Sequence, residues 1–236
     1  MAAINALDQH GRLTRLYESP ARIGALALTE KGNLIFSQNA GVAILDRTSL
    51  RVTQNSKLAI TLSSYRFNDG ACDPQGRFIT GLMDEGHSGN TGKLYRYDAG
   101  LNASVMLDGI SLPNGLAWTS QGDELLFVDS VARTLYHAPY SANGNALQKL
   151  SVFARTPEEL GRPDGLALDI EDNLWVCQRR LPAAVRPQWG PVADVVGAGA
   201  TPHQLLLWRA GYAHLVHYHR QIRHVGDRTR GLSGGG

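Results

Sequence analysis

The chain has 236 residues, room for one large domain or two small ones. Its 43% hydrophobic and 19% charged content suits a folded globular protein, and a net charge of +2 without a basic, aromatic-interleaved stripe speaks against a nucleic-acid partner. Two cysteines, Cys72 and Cys177, make no disulfide framework and point to a reducing, cytoplasmic setting, while no apolar run nears the ~20 residues of a membrane span and the first residues show no charged-then-apolar leader pattern, though a secreted form would have lost its leader if the start is incomplete.

After the opening stretch AAINALDQHGRLTRLYESP, four related segments follow in order. They are IGALALTEKGNLIFSQNAGVAILD, FNDGACDPQGRFITGLM continued by GKLYRYD, PNGLAWTSQGDELLFVDSVARTLYHAPY, and PDGLALDIEDNLWVCQ. Each opens on a turn and a glycine (Gly24, Gly70, Gly115, Gly165), then gives a short strand, a polar turn and a second strand. The first three add a third strand: GVAILD, GKLYRYD and RTLYHAPY. The glycines recur at about 45–50 residues, the spacing of β-propeller blades. A solenoid of helix pairs shares that period, but LIFSQ, FITGLM and LWVCQ alternate as strands do, and no helical stripe appears before residue 178. Four units are few for a ring that must close with four to eight.

Three of the opening turns are richer than a hairpin needs: RFNDG from Arg66, PNGLAW from Pro113 and GRPDGLALD from Gly161. In a propeller, equivalent turns of the inner strands converge on one end of the central channel. Asn114 would bring an amide oxygen there and Asp164 a carboxylate, both hard donors for a divalent ion. The glycine after each lets the backbone turn tightly. The competing reading is that Asn-Gly and Asp-Gly only shape hairpins.

Together with GKLYRYD and NLWV, these motifs resemble the regucalcin/gluconolactonase family of six-bladed propellers, over about residues 1–178. The resemblance implies an all-β fold, here an incomplete propeller followed by an irregular tail. It implies metal-dependent hydrolysis of a sugar (aldono) lactone such as gluconolactone, a small-molecule substrate, with one divalent metal ion (calcium, zinc, magnesium or manganese) as cofactor. By the same resemblance Asn114 and Asp164 are metal ligands, and Asp164 is the catalytic group that orients a water or accepts its proton. Asp69 is the lesser candidate for that role. Arg66, Asn68 and Asp69 match the turn that holds substrate hydroxyls. Glu85 is expected to be a solvated loop acid. The alternatives are a calcium-binding regulatory propeller without catalysis, a strictosidine-synthase-like relative and the product of a damaged gene.

Two departures matter. The family's third ligand is a glutamate in a Gly-Glu-Gly-Pro-like turn of the first blade, and no such turn is present. The opening stretch resembles the outer strands of that blade, Glu18 lies in a different motif and inherits no role, and the metal site is expected to be weaker, as in a chain truncated at its start. After Cys177 the strand alternation ceases and Arg, His, Gly and Ala rise. A frame shifted by one nucleotide near Gln178 can supply a Phe-Asp-Pro turn from Val185 and the family's Cys-Phe-Gly-Gly-Pro-Asp turn from His203. Residues 1–178 are therefore expected to form a partial propeller and 179–236 a frameshifted tail without native-like fold. His214, His217 and His219, whose spacing superficially suits zinc, become a by-product of that shift. An unclosed propeller exposes strand edges, so the chain is expected to be unstable and impaired or inactive.

Overall fold

The computed structural model describes residues 2–178, apart from 61–63, 87–88, 142, 145, 159–160, 170–171 and 173, together with the strand backbones at 183–186 and 190–194. The reading-frame expectation for the remaining tail, with His214, His217 and His219, lies outside the described residues.

The fold is all-β. A hairpin of β1 (Ala2–Leu7) and β2 (Leu13–Ser19) comes first. Four four-stranded antiparallel sheets follow, each pairing its strands in chain order. The first holds β3 (Ile23–Leu28), β4 (Leu34–Gln38), β5 (Gly41–Asp46) and β6 (Arg51–Lys57). The second holds β7 (Tyr65–Cys72), β8 (Phe78–Asp84), β9 (Gly92–Tyr97) and β10 (Ala103–Ile110). The third holds β11 (Pro113–Trp118), β12 (Glu124–Asp129), β13 (Thr134–Pro139) and β14 (Ser151–Arg155). The fourth holds β15 (Pro163–Leu168), β16 (Leu174–Gln178), β17 (Ala183–Arg186) and β18 (Gly190–Asp194). The first strands of the sheets lie side by side, β3 on β7, β7 on β11 and β11 on β15. Among the described residues this is an incomplete propeller: four blades and a hairpin. Among the described residues no helix is long and apolar enough to cross a membrane.

The blades stack because their middle strands are apolar on both faces. In β12, Leu125 and Phe127 pack with Ile79 and Leu94 of the second blade, while Leu126 and Val128 pack with Leu174 and Val176 of the fourth. The two-residue period of a strand sends alternate side chains to opposite neighbours, so an uninterrupted ELLFVD run serves two interfaces. β4 repeats the arrangement: Ile35 joins Phe67, Phe78 and Leu82 of the second blade, while Leu34 and Phe36 pack with Ile4 of the opening hairpin. Burying each such Leu or Phe contributes about 1.5–3 kcal/mol.

Two features differ from the sequence expectation. Each of the first three blades carries a fourth, outermost strand that the repeat does not reveal: β6, β10 and β14 are largely exposed, and RVTQNSK has no apolar face to betray it. The fourth blade is completed by β17 and β18, which fall inside the stretch that sequence assigns to the tail.

Polar contacts between the β7–β8 turn and the residue after β13 fasten the second and third blades. The buried hydroxyl of Tyr140 donates to Asp73 Oδ2 at 2.5 Å and accepts from Arg77 Nη2 at 3.1 Å, and Arg77 Nε reaches the same carboxylate at 2.6 Å. Burial, reinforced by the Asp73 carboxylate, pushes the Tyr140 hydroxyl up to about 12. Tyr140→Phe leaves Asp73 and Arg77 each one partner short inside the interface. The expected loss is about 1–3 kcal/mol of unfolding free energy in denaturant titration; a change under about 0.5 kcal/mol would remove this contact from the account.

Exposed hairpin turns are held by aspartates. Asp8 accepts from the Arg12 and His10 amides, Asp46 from the Ser49 and Thr48 amides, and Asp98 from the Asn102 side chain and from the Asn102 and Gly100 amides. These bonds to the ionised form hold all three carboxyls below their ordinary value of 3.8, led by the Arg12 amide, the Ser49 amide and the Asn102 side chain respectively. A carboxyl depressed by folding stabilises the fold above its unfolded pKa, and that contribution is lost as pH falls through the folded value. The melting temperature should therefore hold from neutral pH down to about pH 5 and fall below about pH 4. A melting temperature unchanged down to pH 2 would contradict this.

Candidate active site

The four inner strands share an irregularity. The ladder to the second strand shifts between Ile23 and Leu26 in β3, Phe67 and Gly70 in β7, Asn114 and Leu116 in β11, and Pro163 and Leu166 in β15. A bulge re-aims the side chains it contains. Asn68 and Asp69, Asn114, and Asp164 all fall in these shifts, so the sequence-selected residues occupy corresponding places on three neighbouring strands.

The glycines of the motifs do more than permit a turn. Gly115 sits at φ +36°, and a Cβ there would lie 2.7 Å from Asp164 O and 2.7 Å from both Leu166 Cγ and Leu166 N. At Gly24 a Cβ would lie 2.4 Å from Asn68 O. Inner-strand backbones thus approach too closely for any side chain at these points.

Hydrogen bonds then join blade to blade. Asn68 Nδ2 donates to Pro113 O at 3.2 Å, and Gly115 N donates to Asp69 Oδ2 at 2.8 Å. Asp69 Oδ1 accepts from Gly70 N at 2.7 Å. Asp69, only 8% exposed, is therefore a strut between the second and third blades. The next link is Ser130. Asn114 Nδ2 donates to Ser130 Oγ at 3.1 Å, and Ser130 Oγ donates to Pro163 O at 2.6 Å, next to Asp164.

Arg66 donates from Nη1 to Asn68 Oδ1 at 2.9 Å and to Phe67 O at 3.1 Å, and from Nε to Glu85 Oε1 at 2.8 Å. Glu85 also pairs with Arg22 of the first blade. Glu85 is exposed just past β8, as expected of a loop acid, but its carboxylate also bridges two guanidiniums from adjacent blades and holds the Arg66 side chain. Glu18, given no role, forms an ion pair with Arg15 in the opening hairpin, with N···O 3.5 Å.

Arg66, Asn68, Asp69, Asn114 and Asp164 are accordingly linked into one assembly. Ser130, which sequence reasoning passes over, and Glu85, which it reads as a solvated loop acid, belong to it. The signal for Ser130 was a small polar residue directly after the buried run ELLFVD; for Glu85 there was none local, because its partners lie 19 and 63 residues away.

An ion would find two oxygen donors here. Asn114 is 7% exposed, and its Oδ1 accepts only Gly115 N, at 3.2 Å, among the described residues, leaving one lone pair. Asp164 offers a half-buried carboxylate on the adjacent strand. No group of three or more His, Cys, Asp or Glu at ion-holding distance occurs among the described residues. As hard oxygen donors, both are of the type that a divalent ion such as calcium or magnesium takes.

Residues 1–188 match the SMP-30/Gluconolactonase/LRE-like region. The chain is 32% identical over 180 residues to a 6-deoxy-6-sulfogluconolactonase of Pseudomonas putida, covering 74% of this chain and 60% of that protein. It is 33% identical over 173 residues to the pentonolactonase XacC of Haloferax volcanii, covering 72% of this chain and 57% of that one. It spans little more than half the length of these relatives. Among solved structures, a calcium-binding protein, regucalcin, from Agrobacterium tumefaciens superimposes with a TM-score of 0.71 at 23% identity, covering 78% of this chain and 63% of that one, a likeness of fold. The matched family region and the two lactonase relatives place the chain in the SMP-30/gluconolactonase/LRE-like family.

Proposed function

We propose that these residues serve metal-dependent hydrolysis of a sugar lactone such as gluconolactone. The observation that carries the reading is the placement of Asn114 and Asp164 in matching bulges of neighbouring inner strands, beside the Arg66–Asn68 arm. The named activities of the two relatives support a lactone substrate.

Asn114 Oδ1 and Asp164 would hold the divalent ion, calcium, zinc, magnesium or manganese. When bound, it supplies Lewis-acid polarisation of the ester carbonyl and eases ionisation of water. Asp164 orients the attacking water and accepts its proton. The water oxygen bonds to the carbonyl carbon, the ring C–O bond breaks, and the leaving oxygen takes up a proton to give the hydroxy acid. Arg66 commits Nε and Nη1 within the protein, so its Nη2 donors serve substrate hydroxyls. Asn68 uses its amide on Arg66 and Pro113 O, which makes it first a support for that arm. Asp69, holding Gly70 N and Gly115 N, positions the Asn114 turn, and its contribution to substrate is subordinate to that. All of these residues lie within the first 178 residues, ahead of β17 and β18.

A second reading is favoured by one observation. Asp69 is engaged with backbone amides, so Asp164 alone must act as both ligand and base. The site would then bind calcium without turnover.

Gluconolactone hydrolysis by this incomplete propeller is expected to be impaired, to require a divalent ion and to stop with a chelator. Asp164→Asn should lower the rate by about 10²–10⁴-fold with an unchanged melting temperature. Hydrolysis that ignores both chelator and Asp164→Asn would refute the catalytic reading. Ion binding with no turnover at any added metal would establish the second reading instead.

A further inference from the structure

Ser130 is 4% exposed and sits at the end of the middle strand of the third blade, outside every motif that marks the site. Its hydroxyl has one proton. That proton is directed to Pro163 O at 2.6 Å, a short bond to a carbonyl of the fourth blade. The oxygen can then only accept, and it accepts from Asn114 Nδ2 at 3.1 Å. Its own amide is fixed as well, donating to Leu112 O at 3.0 Å.

This arrangement settles a choice that Asn114 cannot settle alone. A carboxamide turned by 180° exchanges its donor for its acceptor at almost no change of shape. With the amide reversed, Asn114 Oδ1 would face Ser130 Oγ with no proton between them, and Nδ2 would face Gly115 N, donor against donor. Both contacts are buried, and an unmatched buried polar pair costs about 1–3 kcal/mol. The observed orientation sets Oδ1 on the Gly115 side with one lone pair left over.

We propose that Ser130 is a positioning residue: it fixes the Asn114 carboxamide with its oxygen available as a ligand, and through Pro163 it ties that oxygen to the turn bearing Asp164. One hydroxyl thereby sets the spacing of two donors from different blades. The consequence for an ion rests on the metal reading of Asn114 and Asp164; the orientation of the amide does not.

The test uses the full chain, isotopically labelled, with the Asn114 side-chain amide assigned by its disappearance in Asn114→Asp. In the unmodified protein, one Nδ2 proton should exchange with solvent at least about tenfold more slowly than those of the exposed Asn55. Ser130→Ala should abolish that protection, and Ser130→Thr, which keeps the hydroxyl, should restore it. Mn²⁺ titration by calorimetry should show affinity weakened about 10–100-fold in Ser130→Ala and regained in Ser130→Thr, as for loss of a group that orients a ligand. Asn114 protons exchanging as freely as those of Asn55 in the unmodified protein overturn the proposal, whether or not any variant folds. So does an amide left unchanged by Ser130→Ala. If no Mn²⁺ site sensitive to Asn114→Ala exists, the metal reading fails, and the amide measurement still decides the role of Ser130.

Discussion

The inner strands approach one another so closely that a side chain is excluded where they meet. At Gly24 and at Gly115 the space for a Cβ is already occupied by the backbone of the next blade. That proximity places backbone carbonyls and amides of adjacent blades within reach of short polar side chains. Asn68, Asp69 and Ser130 each bridge one such gap, to Pro113 O, Gly115 N and Pro163 O. The same bulges that bring the strands together project Asn114 and Asp164. Blade packing and site geometry are therefore a single construction, and neither can be altered without the other.

The energetic basis is divided. Apolar interdigitation between blades supplies most of the stabilisation, through side chains such as Phe67, Phe78 and Phe127 that are buried almost completely. The polar bridges add modest net stability, since each replaces hydrogen bonds to water. Their larger effect is on geometry: an amide or carboxylate with its partners fixed cannot rotate, and fixed donors are what ion binding and catalysis require. Glu85 illustrates this at Arg66, whose guanidinium it holds by ion pairing.

Much of this was legible in the sequence, for physical reasons. The glycine spacing and the alternating LIFSQ, FITGLM and LWVCQ runs reveal blades, because the inner three strands of each blade must satisfy packing on one or both faces. The outer strands β6, β10 and β14 escape notice since most of their residues are exposed, and a strand such as RVTQNSK carries a single apolar residue, too few to show an alternating face. β17 and β18 escape for a different reason: backbone pairing can extend a sheet without an alternating pattern. At the site, Arg66, Asn68, Asp69, Asn114 and Asp164 stand out as motif residues in turns. What sequence could not give was their division of labour. That Asp69 faces backbone amides, that Glu85 joins two arginines, and that Ser130 governs an amide on another strand follow only from contacts spanning 16 to 63 residues.

On the proposed reading, Asn114 and Asp164 form one ion site between the third and fourth blades. The direct measurement is paramagnetic broadening by substoichiometric Mn²⁺ in an amide correlation spectrum of the full chain. The account predicts broadening centred on the backbone amides of Asn114, Gly115, Asp164 and Gly165. Broadening centred instead on the exposed aspartate turns at Asp8, Asp46 or Asp98, or none at these four amides, would contradict it.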